Sequence, residues 1–130
     1  MGPGSELKDD GAMRLLRRHS RVKPSVAHPI QVQINGEGFI EVLRARDISL
    51  GGLGVHVSHH FDGCDIHSEV ELVVKLPGEK PFVTRGQIRN ISAKSDSAGL
   101  YGVEFVALSP EASARLDAYV ARRIAEGGAD

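Results

Sequence analysis

The sequence predicts an all-β domain with one C-terminal helix, built as a six-stranded antiparallel β-barrel. Three observations predict it. Short runs alternate apolar and polar residues between turn signals. Helical spacing begins only after residue 108. The length of 130 residues holds one domain and is too short for two ordinary ones.

Each element follows from local chemistry. Pro24 discourages a helix at Lys23. Residues 26–34 (VAHPIQVQI) alternate through Ile30, Val32 and Ile34 and read as the first strand. Asn35-Gly36 is a strong hairpin signal, because both turn positions need positive φ. Residues 38–48 form the second strand and 53–57 the third, separated by Gly51 and Gly52. His56 alternates with Val55 and Val57, so it faces the opposite side from them. Residues 68–76 form the fourth strand, and Pro77-Gly78 turns it. Residues 81–91 form a long fifth strand with a bulge expected at Gly86. The polar run 92–99 reads as a loop and 100–108 as the sixth strand. Ser109-Pro110-Glu111 then starts a helix, with Ser as N-cap, Pro at the first position and an acid in the first turn. Leu116, Tyr119, Val120 and Ile124 share one helical face. Arg122 and Arg123 suit the last turn, and Gly127-Gly128 ends it.

Composition narrows the function. Hydrophobic residues at 41% and charged residues at 25% describe a globular chain, not a disordered one. No apolar run approaches the roughly 18 residues of a membrane helix, so no membrane insertion is expected. No apolar segment near the start reads as a secretory signal. A single cysteine cannot form an internal disulfide, which fits a reducing, cytoplasmic location. A net charge of −1 excludes a strongly basic protein that coats nucleic acid. Single-stranded nucleic acid sites stack bases on aromatics, and two Tyr and four Phe offer few platforms, so neither DNA nor RNA is expected as a partner.

The charge is unevenly spread. Residues 1–13 carry Lys8 against Glu6, Asp9 and Asp10, a net of −2. MGPGS reads as an expression-tag remnant, Met13 as the natural start, and 1–13 as a tail outside the fold. Residues 14–23 (RLLRRHSRVK) hold Arg14, Arg17, Arg18, Arg21 and Lys23 with no acid between them. The expected division is thus a domain over 14–126, made of a basic arm (14–23), a barrel (26–108) and a helix (109–126), with 127–130 as a tail.

Two motifs stand out. Arg17-Arg18-His19-Ser20-Arg21 contains R-x-x-x-R, and Asp47-Ile48-Ser49-Leu50-Gly51-Gly52 contains D-x-S-x-x-G at a strand end. Each alone has a plain reading, a solvated basic segment and an Asx or Ser turn. Together, in this order and followed by a Tyr101-Gly102-Val103-Glu104-Phe105 strand and a terminal helix, they resemble the PilZ domain family over roughly residues 14–126. The resemblance implies the six-stranded barrel and a bacterial receptor for the second messenger cyclic di-GMP. It also implies that Arg17 and Arg21 are the motif arginines.

The chemistry of that ligand suits the residues. Guanidinium groups bind phosphate oxygens and the O6/N7 edge of guanine bidentately, and stack on purine faces. Arg18 can add a phosphate or guanine contact. Asp47 can accept from guanine N–H groups and Ser49 can donate. Gly51 and Gly52 let a backbone approach closely. The family's bulky fifth-strand residue falls near Ile88-Arg89. With no Trp in the chain, stacking there falls to Arg89. Leu16, before the first motif arginine, favours one bound ligand over an intercalated pair. Like charges in the arm repel until a dianion neutralises them, so binding would order the arm. His19 would feel the bound phosphate, and its protonation would strengthen binding below neutral pH.

The expected function is a receptor that signals through a partner protein, as a monomer or weak dimer. The alternative is a PilZ-like protein–protein adaptor with little nucleotide affinity. No G-x-S-x-G, H-E-x-x-H or P-loop occurs, so no enzyme and no cofactor are expected. The segment from His59 to His67 holds several soft ligands, and Cys64 and His67 have a spacing seen in zinc sites. With no second such pair, it reads as a polar connection without metal, and Cys64 as a bystander thiol.

Overall fold

The computed structural model of the chain describes residues 20–58, 61, 64–95 and 98–128. Six strands, β1 (Gln31–Gly36), β2 (Phe39–Ile48), β3 (Gly52–Val57), β4 (Glu69–Lys75), β5 (Phe82–Ser95) and β6 (Ala98–Val106), are followed by helix α1 (Pro110–Ala125). All pairings are antiparallel, and the order β1-β2-β3-β6-β5-β4 closes into a barrel. Closure leaves no sheet edge unpaired.

Alternation builds the core. Val32 and Ile34 of β1, Leu53, Val55 and Val57 of β3, Val70, Leu72 and Val74 of β4, and Val103 and Phe105 of β6 point inward and are buried. His56 is exposed between the buried Val55 and Val57, as alternation requires. Helix α1 adds Ala112, Leu116, Tyr119 and Val120 to the same core. Its start follows the expected capping: Ser109 Oγ accepts from the Ala112 N–H at 3.1 Å, and Pro110 occupies the first turn. Arg115 ties the helix to the β4–β5 connection through Glu79 Oε1 at 2.8 Å and through the Lys80 carbonyl. Arg123 Nε donates to the Lys23 carbonyl at 2.8 Å, and the Lys23 N–H donates to Gly128 O at 2.8 Å. The helix end therefore clamps the segment that leads into the barrel.

Several expected boundaries move. Residues 26–28 are not strand: His28 N bonds Ser25 O at 3.1 Å across a turn, and Val26 is fully exposed. Pro29 has no N–H for a ladder, so regular pairing starts only at Gln31. The first hairpin turns at Glu37-Gly38, with Gly38 at φ +86°, rather than at Asn35-Gly36. Gly36 is paired with Phe39, and a Cβ on it would overlap the Phe39 ring at 2.1 Å, so its glycine serves packing. The shift by two residues keeps Val32 and Ile34 facing inward.

Gly86 is not a bulge. It pairs with Phe105 and leaves room for Val103 and Leu72, whose nearest atoms would stand 2.7 and 2.8 Å from a Cβ. The register shifts instead between Ile88 and Asn90 and between Ala93 and Ser95. Residues 92–95 and 98–99 of the polar run are strand, because main-chain pairing there does not depend on apolar side chains. Ile124 lies outside the buried stripe of α1 at 37% exposure, since the last turn carries it past the packed core.

Candidate functional site

The end of β2 joins the two motifs. Val22 and Ile48 exchange both main-chain hydrogen bonds, at 2.9 and 3.0 Å. This isolated antiparallel bridge brings Arg21 beside Asp47. Arg21 Nη1 donates to Asp47 Oδ1 at 2.8 Å. From the other side, Arg46 Nε donates to Asp47 Oδ2 at 2.7 Å, with Nη2 at 2.6 Å from the same oxygen. Asp47 is fully buried while both arginines are about half exposed. Two guanidinium groups thus balance a carboxylate that burial would otherwise make costly. Gly54 faces Asp47 across β2–β3, and a Cβ there would stand 3.0 Å from Oδ1.

The turn after Asp47 is held by its own polar groups. Ser49 N donates to Gly52 O at 2.8 Å, and Gly51 N donates to Ser49 Oγ at 3.1 Å. The Phe105 N–H donates to Gly51 O at 2.8 Å, docking the turn on β6. A Cβ on Gly52 would lie 2.1 Å from the Val103 carbonyl oxygen, so the close approach of β3 to β6 demands glycine.

The third wall comes from β5 and β6. Ile88 pairs with Val103 and Asn90 with Gly102, which leaves Arg89 unpaired in a bulge. Arg89 and Asn90 are consequently both exposed. Arg89 Nη2 donates to Glu104 Oε1 at 2.9 Å. A Cβ on Gly102 would come 3.2 Å from Asn90 Nδ2.

These surfaces enclose a cavity of about 360 Å³, lined by Arg21, Ser49, Gly51, Gly52, Arg89, Asn90, Gly102, Val103 and Glu104. Of the residues singled out from sequence, Arg21, Ser49, Gly51, Gly52 and Arg89 share this wall. Asp47 does not line it: both its oxygens are engaged by Arg21 and Arg46, and it acts by holding Arg21 in place. Arg17 and Arg18 lie outside the described residues, as do Leu16 and His19.

Sequence reasoning missed Arg46, Asn90, Gly102 and Glu104. Arg46 alternates outward between the buried Ala45 and Asp47, as an exposed strand arginine would, and no residue pattern announced that its guanidinium folds back onto the neighbouring carboxylate. Gly102 and Glu104 stand in the Tyr101–Phe105 run, which carried a family likeness but no site role.

Cys64 is buried in the core, and burial, with Asp65 adding to it, pushes its thiol up. His59, His60, Asp62 and Gly63 lie outside the described residues. Among the described residues no group of three His, Cys, Asp or Glu side chains is placed to hold a metal ion.

The comparisons with known proteins agree on the architecture. The PilZ domain family model matches residues 15–122. No curated protein matched the chain in sequence. Among solved structures, the inhibitor of motility MotI/DgrA of Bacillus subtilis is similar with a TM-score of 0.69 and 21% identity, over 85% of this chain and 52% of that one. The PilZ domain of Escherichia coli YcgR with c-di-GMP is similar with a TM-score of 0.67 and 18% identity, over 85% of this chain and 94% of that one. The MrkH–c-di-GMP complex of K. pneumonia is similar with a TM-score of 0.69 and 15% identity, over 85% of this chain and 54% of that one. The chain spans about half the length of MotI/DgrA and MrkH and nearly all of the YcgR domain. With the family model matching residues 15–122 and the barrel carrying the Arg21–Asp47 junction, the chain belongs to the PilZ domain family.

Proposed function

We propose that this PilZ domain is a non-catalytic receptor for cyclic di-GMP. The observation that carries the reading is the cavity in which Arg21 and Arg89 present guanidinium groups across a floor of Gly51, Gly52 and Gly102. Guanidinium forks match phosphate oxygens and the guanine O6/N7 edge, and glycine lets a large dianion approach main-chain groups. The solved c-di-GMP complexes of YcgR and MrkH have the same fold, which supports the assignment. In this reading Asp47 holds Arg21 ready, Ser49 holds the turn, and Arg89 stacks on or forks to a base.

The finer steps belong to the same proposal. Residues 14–23 act as the ligand-binding arm, with the Val22–Ile48 bridge as its anchor. Arg17 and Arg18 close over the ligand as charge repulsion in the arm is relieved. The ordered arm is then read by a partner protein, with the receptor a monomer or weak dimer in the cytoplasm. No helix among the described residues is long and apolar enough to cross a membrane. One observation favours the alternative of an adaptor with little nucleotide affinity: Glu104 sets a carboxylate on the cavity wall, paired with Arg89.

Calorimetric titration with cyclic di-GMP, using Arg17→Ala/Arg21→Ala as the control, tests the reading. Micromolar or tighter binding that vanishes in the double variant is expected, with hydrogen-exchange protection of residues 14–23 on binding. No heat and no thermal shift with a folded protein would leave the adaptor reading.

A further inference from the structure

A second cavity, of about 470 Å³, lies between the end of α1, the β4–β5 turn and the segment leading into the barrel. Its walls include Ser25, His28, Gly78, Tyr119, Arg122 and Arg123, and it shares no residue with the Arg21–Arg89 cavity. Its volume falls within the range of small-molecule sites.

Three observations point to a ligand. Tyr119 is only 2% exposed, and among the described residues nothing accepts a hydrogen bond from its hydroxyl. A buried tyrosine hydroxyl ordinarily has a partner. Burial raises its pKa, opposed by Arg123 and Arg122, with Glu126 adding to the rise. Tyr119 itself lines the cavity together with these three charged neighbours. Arg122 places its guanidinium 5.6 Å over the Tyr119 ring and makes no ion pair among the described residues. Arg123 is occupied differently, with Nε on the Lys23 carbonyl and Nη1 on Glu126 Oε1 at 3.0 Å. Among the described residues the wall therefore carries two positive charges against one negative, with no acceptor on the Tyr119 hydroxyl and no ion pair on Arg122.

We propose that this cavity binds a small organic oxyanion, a carboxylate or a phosphate monoester, accepted by the Tyr119 hydroxyl and the Arg122 guanidinium. One acceptor oxygen satisfies the buried hydroxyl and the second takes the guanidinium, a charge-assisted arrangement stronger than a neutral one.

Amide chemical-shift mapping on the full chain tests this with three probes: benzoate, phenyl phosphate and inorganic phosphate. Saturable shifts are expected at Ser25, His28, Gly78 and residues 122–126, with one of the two organic probes tighter. That difference separates the carboxylate source from the phosphate source. Tyr119→Phe, which keeps the ring packing, and Arg122→Gln, which alters an exposed side chain, should each weaken the tighter probe by about tenfold or more. Shifts confined to Gly51, Gly52 and Gly102, shifts indifferent to both substitutions, or no saturable shift would overturn the proposal. Equal binding of all three probes would show an adventitious ion only and overturn it as well.

Discussion

The buried carboxylate of Asp47 receives Arg21 at 2.8 Å, from 26 residues earlier in the chain. Arg46 holds the other oxygen of the same carboxylate at 2.7 Å. The double clamp separates two roles. Arg21 is the guanidinium that reaches the cavity, and Arg46 can hold Asp47 without it.

Arg21→Ala is therefore expected to abolish cyclic di-GMP binding while costing about 1 kcal/mol or less of stability, because Arg46 still neutralises Asp47. Arg21→Ala/Arg46→Ala leaves a buried charge without a partner and should cost about 3–5 kcal/mol. Urea denaturation beside calorimetry distinguishes the two. Equal destabilisation by the single and double variants would refute the shared clamp.

Two glycines in the cavity wall should respond differently. A Cβ on Gly52 would meet main chain, the Val103 carbonyl oxygen at 2.1 Å, whereas one on Gly102 meets the Asn90 side chain at 3.2 Å. Gly52→Ala should cost about 3 kcal/mol by forcing β3 from β6. Gly102→Ala should stay within about 1 kcal/mol of the parent and lower nucleotide affinity by crowding the wall. Thermal melts and titrations of both variants provide the check.

Glu104 competes for Arg89 through a half-exposed pair at 2.9 Å. Such pairs contribute about 1 kcal/mol at most, so Glu104→Gln should leave stability nearly unchanged. It should raise cyclic di-GMP affinity several-fold by freeing Arg89 and removing a negative charge near the phosphates. Unchanged or weaker binding would separate Arg89 from the ligand.

Alkaline pH should unfold the domain early. Burial raises the Cys64 thiol, and it raises the Tyr101 hydroxyl despite the 3.1 Å bond from the Phe61 N–H. It raises the Tyr119 hydroxyl despite Arg123 and Arg122. For a raised pKa the unfolded chain loses its proton first, so this stability is whole below the ordinary thiol and phenol values. It is lost as pH climbs through them, above about pH 9. The urea midpoint should hold to neutral pH and then fall, less steeply in Tyr119→Phe. A midpoint constant up to pH 11 would contradict the buried, protonated state of these groups.

The fold was largely legible because its cause is local and periodic. Alternation at Val32 and Ile34, at Val70, Leu72 and Val74, and at Leu53 and Val55 reflects one wet face and one buried face on each strand. Ser109 and Pro110 declared the helix start through the backbone donors they cap or lack. Turn placement was less legible. The glycine of Asn35-Gly36 answers to the Phe39 ring, and only the paired strand shows that.

Arg21, Asp47, Ser49 and the following glycines stood out in the chain because R-x-x-x-R followed by D-x-S-x-x-G resembles the PilZ family, and their residue types suit the ligand that the resemblance implies. Their convergence was decided in three dimensions. The Val22–Ile48 bridge carries Arg21 to the end of β2, where Arg46 places a second guanidinium on Asp47. The bulge at Arg89 and the pairing of β5 with β6 place Asn90 and Glu104 on the same wall. Closure of the barrel also leaves Tyr119 and Arg122 beside the β4–β5 turn. Register shifts, bulges and the docking of a helix end are settled by packing between distant segments, and the periodicity within any one segment does not encode them.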